Sequence, residues 1–142
     1  MRQGAILPDA GLKEIFAQSC REQLAGVESA LLDLAQACAA GERVARDVLE
    51  SVFRAAHSIK ADAAAMGLGD IVCLAHALEN VLQRLTDGRL PGGEAVQPLL
   101  EGFDLLGRMV AGDAGAGDGA KALAARLDSL GAERVASLAT CV

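Results

Sequence analysis

Tryptophan and tyrosine are absent, and phenylalanine occurs only three times in 142 residues. β-Branched residues are few, whereas alanine and leucine dominate. This mixture disfavours sheets and suits close-packed helices. The same shortage removes the stacking aromatics on which single-stranded nucleic acids bind. Basic charge is short as well: the net charge is −6, so a phosphate backbone would meet no basic stripe and nucleic acid is excluded as a partner. No stretch approaches the roughly 20 apolar residues of a bilayer-spanning helix, so no membrane insertion is expected. Residues 1–7 carry one arginine and no long apolar run, unlike a secretion signal. These absences point to one soluble, cytoplasmic domain, long enough to bury a single core.

Paired cysteine motifs are missing too. Cys20, Cys38, Cys73 and Cys141 are irregularly spaced, with no Cys-x-x-Cys among them, so neither a zinc site nor a disulfide framework is supported. Cys20, Cys38 and Cys73 fall in predicted helices, where a free thiol behaves as a small apolar residue.

What is present is helical periodicity. Asp9 reads as an N-cap, and Phe16, Cys20, Leu24, Val27, Leu31, Leu34 and Cys38 then recur at spacings of four and three. They form one apolar stripe on a helix running to about Ala39, with Gly41 as its stop. A second helix is expected from Arg43 to Met66, with Leu49, Val52, Ala56, Ile59 and Ala63 inward. Gly67-Leu68-Gly69-Asp70 breaks the pattern, and Gly69 or Asp70 is expected to cap the next helix. Its stripe is Ile71, Leu74, Leu78, Val81 and Leu85, ending near Thr86, with His76 and Glu79 leaving on the polar side. A fourth helix is expected from Glu94 to Val110, starting late enough to keep Pro98 in its first turn. Residues 1–110 thus read as an all-α, antiparallel up-down four-helix bundle. Residues 111–119 read as a flexible linker, and 120–142 as an additional C-terminal helix or spacer.

At about 100° per residue, His57 lies some 120° from the centre of the second helix's apolar stripe, at its border with solvent. Phe53, Lys60, Ala61 and Ala64 are its neighbours along the helix. Ala61 and Ala64 are too small to obstruct a large partner. In an antiparallel bundle His57 and Glu79 sit at about the same distance from the intervening turn and can face each other. A carboxylate beside one nitrogen of a neutral imidazole would set the tautomer and leave the other nitrogen as an outward nucleophile.

The run Arg54-Ala55-Ala56-His57-Ser58-Ile59-Lys60, then Gly67-Leu68, then His76-Ala77-Leu78-Glu79-Asn80, resembles the histidine phosphotransfer (HPt) domain at the N-terminus of CheA-type chemotaxis histidine kinases. The spacings from His57 to Lys60, His76 and Glu79 (3, 19 and 22) agree with that family. The likeness extends from about Leu12 to Val110 and includes Phe16-x6-Gln23-Leu24 and Leu31-Leu32-Asp33-Leu34. The resemblance implies that His57 accepts the γ-phosphoryl group of ATP from a kinase catalytic domain. It implies onward transfer to an aspartate of a CheY-like response regulator. Glu79 would orient the imidazole, Lys60 would compensate phosphoryl charge, and His76 would complete the polar network. ATP and Mg²⁺ would be supplied by partner domains, with no cofactor or metal held by this one and the ATP-binding domain outside this chain. The family usually has two glycines after the lysine; here they are Ala61 and Asp62, and Asp62 reads as a solvated charge directed away from His57. Two related readings stay open: a stand-alone phosphorelay protein, and a scaffold that binds receivers without phosphotransfer. A zinc hydrolase built on His57, His76 and Glu79 is more distant, because three residues are few ligands and no pocket is implied.

Overall fold

The computed structural model describes residues 10–113 and 115–130. These form five α-helices and, among the described residues, no strand: α1 (Ala10–Ala39), α2 (Arg46–Ala65), α3 (Gly69–Thr86), α4 (Gly92–Val110) and α5 (Ala116–Ser129). None is long and apolar enough to cross a membrane. The proposed Asp9 cap and everything expected of 131–142, including Cys141, lie outside the described residues.

The apolar stripes dictate the packing. On α1, Phe16, Cys20, Val27, Leu31 and Leu34 are buried; on α2, so are Leu49, Val52, Ala56, Ile59 and Ala63. Helix α1 packs on α2 and α4, and α3 packs on α2 and α4, while the diagonal pairs do not approach. This is the four-helix arrangement that short connections favour. Each of the first four helices ends alike: a glycine with positive φ follows the last turn (Gly41, Gly67, Gly88 and Gly112). At the end of α2, for instance, the Leu68 N–H reaches the Ala63 carbonyl at 2.9 Å and the Gly67 N–H reaches Ala64 at 3.1 Å. That pair of bonds satisfies otherwise orphaned carbonyls and turns the chain sharply into α3.

Four expectations change. Helix α3 starts at Gly69, its flanking residue is Leu68 with no side-chain cap, and Asp70 lies in the first turn. There the Asp70 charge complements the helix dipole instead of capping a specific N–H. Helix α4 begins at Gly92, ahead of the expected Glu94, so Pro98 lies beyond the first turn and inside the helix. The intrahelical bond that Pro98 forgoes is outweighed by burial of Ala95, Leu99, Phe103 and Leu106 on either side of it. Helix α2 starts three residues late, at Arg46. Helix α5 starts at Ala116, taking in residues that read as linker.

Helix α5 is part of the core. It packs against both α3 and α4, burying Ala116, Ala120, Leu123, Ala124 and Leu127. Leu127 is wholly buried and contributes about 2 kcal/mol by that burial. The Arg84 guanidinium of α3 donates to the carbonyls of Leu127 and Leu130 at 3.1 and 3.2 Å, a cation on the negative end of α5. Arg126 pairs with Glu101 of α4 at 3.2 Å. Because α2, α4 and α5 all pack on α3, that helix buries Ala75, Ala77 and Leu82 beyond its predicted stripe.

Candidate functional site

Helices α2 and α3 carry the site, and the tight turn at Gly67 sets their register. His57 comes from the middle of α2 and Glu79 from the facing stretch of α3. The Glu79 carboxylate is the one buried charged group among the described residues. An unpaired carboxylate there would cost several kcal/mol. Both of its oxygens are engaged: Oε2 lies 2.6 Å from His57 Nδ1, and Oε1 accepts from Lys60 Nζ at 2.7 Å. The sequence placed Glu79 on the polar side of α3; packing of α2 over that side encloses it instead.

An ionised carboxylate can only accept, so the short contact assigns the Nδ1 proton to His57, and the ring's Nε2 keeps its lone pair. Among the described residues, Nε2 has no hydrogen-bond partner in the protein. The side chains grade in exposure from 6% for Glu79 through 26% for Lys60 to 60% for His57. The carboxylate is therefore inside and the imidazole outside. Lys60 lies one turn from His57 on the same helix and shares the same carboxylate, which places a cation beside the imidazole at the solvent boundary.

His76 is exposed on α3 and shares no hydrogen bond or ion pair with His57, Lys60 or Glu79. Asp62 is exposed, as its position on α2 suggested. Its negative charge, together with the larger effect of burial, pushes the Cys20 thiol of α1 up to about 11. Cys20 is thus kept as an inert, protonated thiol in the core. No group of three or more metal-ligating side chains occurs among the described residues.

Sequence reasoning assigned no role to Phe53. Its ring lies nearly parallel to the His57 imidazole, with centroids 6.2 Å apart and 8° between planes. The available signal was its position one helical turn before His57, which lets the two rings meet on one face.

The model of the Hpt domain family matches residues 11–133. The chemotaxis protein CheA of Rhizobium meliloti is 44% identical over 96 residues, which make up 67% of this chain and 12% of that protein. CheA of Bacillus subtilis is 33% identical over 119 residues, 81% of this chain and 16% of the relative. CheA of Treponema pallidum is 30% identical over 113 residues, 77% and 13% respectively. The chain therefore spans only a small part of the length of these relatives. No solved structure matches it. With a family model covering most of its length, with a helical bundle presenting a carboxylate-anchored histidine, and with these relatives, the chain belongs to the Hpt domain family.

Proposed function

We propose that this domain carries phosphoryl groups on His57 as part of a chemotaxis kinase system. The observation that carries this reading is the 2.6 Å contact from His57 Nδ1 to buried Glu79, which leaves Nε2 with its lone pair and, among the described residues, without a protein partner, on a side chain that is mostly exposed. In the first step the Nε2 lone pair attacks the γ-phosphorus of ATP held by a kinase catalytic domain. The N–P bond forms as the bond to ADP breaks, and ADP leaves. In the second step an aspartate oxygen of a CheY-like receiver attacks the same phosphorus. The N–P bond breaks and the neutral imidazole returns, its Nδ1–H donating to the Glu79 carboxylate throughout. Transfer of this kind asks the acceptor for position and charge compensation and little else. Glu79 supports the first role. Lys60 supports the second, as a mobile cation able to leave Glu79 for the phosphoryl oxygens. ATP and Mg²⁺ arrive with the partner domains.

The test is incubation of the domain with ATP and the catalytic domain of a CheA-type kinase, followed by addition of a panel of receivers. The native protein should acquire an acid-labile, base-stable phosphate and lose it to a receiver. His57→Gln should retain the fold and take up none. Labelling that survives His57→Gln would move the acceptor elsewhere, and receiver binding with no labelling at all would leave a docking scaffold.

A further inference from the structure

We infer that Phe53 is a positioning residue for His57: its ring holds the plane of the imidazole so that Nε2 points along one direction. This rests on His57 being the phosphoacceptor and adds a second constraint to the one Glu79 supplies. A hydrogen bond at Nδ1 determines which edge of the ring faces inward. It constrains the plane of the ring weakly, because the terminal torsion of histidine is broad and has no sharp staggered well. The ring is more than half exposed, so no cage of neighbours limits its swing.

Phe53 supplies that limit. It precedes His57 by one turn of α2, is half-buried, and packs against the hydrophobic core. The core holds Phe53, and Phe53 presents a flat face nearly parallel to the imidazole, 8° between planes at 6.2 Å. That separation lies within the range of productive offset ring pairs. This is the one ring–ring contact among the described residues, and it falls on the nucleophile. One constraint comes from the neighbouring helix and acts in the ring plane; the other comes from the same helix and acts across it. Together they orient a lone pair on an open surface. In-line attack on phosphorus depends steeply on such orientation, and a displacement of about 1 Å can cost on the order of 100-fold.

Two substitutions separate a flat face from simple bulk. Phe53→Leu keeps apolar packing and removes the ring; Phe53→Tyr keeps the ring, and half-exposure gives its hydroxyl a route to water. Phosphorylation is followed at varied kinase-domain concentration, and side-chain order of the His57 ring is measured by NMR without ATP. Phe53→Leu should lower the saturating rate about tenfold with little change in apparent KM, and should increase His57 ring motion while Nδ1 stays protonated. Phe53→Tyr should match the native protein in both. Native rate and native ring order in Phe53→Leu would overturn the proposal. So would equal losses in both variants tracking a lowered Tm, which would make Phe53 a packing residue only. If the native protein took no label, the phosphoacceptor reading would fail, and the NMR comparison would still decide whether Phe53 orders the ring.

Discussion

Replacing Glu79 with glutamine changes a single atom of the site and has a consequence that follows from its hydrogen-bond pattern. The carboxylate accepts twice, from His57 Nδ1 at 2.6 Å and from Lys60 Nζ at 2.7 Å. The two donors sit on different oxygens, and a glutamine side chain replaces one of these by an NH₂ group, so in this geometry only one partner still meets an acceptor. Lys60 can only donate. With the amide oxygen on Lys60, the NH₂ group faces Nδ1, and His57 must move its proton to Nε2 to accept that bond. The nucleophilic lone pair is then lost. The opposite amide orientation preserves the lone pair but sets NH₂ against an ammonium and gives up a charge-assisted bond worth about 1.5–3 kcal/mol. Lys60 is partly exposed and can retreat to water, which favours the lower part of that range. At about 1.4 kcal/mol per factor of ten, Glu79→Gln should reduce the productive tautomer, and with it the initial rate of His57 labelling, roughly 10–30-fold. Side-chain volume is retained, so Tm should move by no more than a few degrees. Radiolabel uptake from ATP with a CheA-type catalytic domain measures the rate, and imidazole ¹⁵N shifts measure the tautomer. An unchanged rate, or an Nε2 that keeps its unprotonated signature in the variant, would refute the reasoning.

His76→Ala should change the labelling rate by less than about twofold, because the residue is exposed and bonded to none of the three site groups; a tenfold loss would return it to the network expected from the family pattern. Gly102→Ala tests the seating of α5 and α4 on α3. A Cβ there would come 2.5 Å from Leu78 Cδ2 and 3.5 Å from Leu127 Cδ1, and both of those side chains are fully buried. Overpacking should cost about 1–3 kcal/mol and lower Tm by several degrees in a thermal melt; a native Tm would show that the core yields there.

Much of this molecule was legible residue by residue. The stripes on α1 and α2 bury the positions that three- and four-residue spacing marked, except Leu24 and Cys38 of α1, which are half-buried, because a period of 3.6 puts those side chains on one face. The ends of the first four helices were written in the same local code, since a glycine after the last turn accepts the positive φ that other residues resist. Likewise His57 lay at the stripe's edge by angle alone. Position on one helix, however, carries no information about what the next helix covers. Glu79 looks polar-facing on α3 by periodicity and becomes buried when α2 closes over it; His76, three residues earlier, stays in solvent. Pro98 argues locally for a late start to α4, and apolar burial on both sides of it overrides that preference. Helix α5 reads as weak by itself because its contribution is made against α3 and α4. Periodicity chose the helices and their inner faces, while contact between helices chose which polar groups would meet, which would be shut away from water, and which imidazole nitrogen the buried carboxylate would engage.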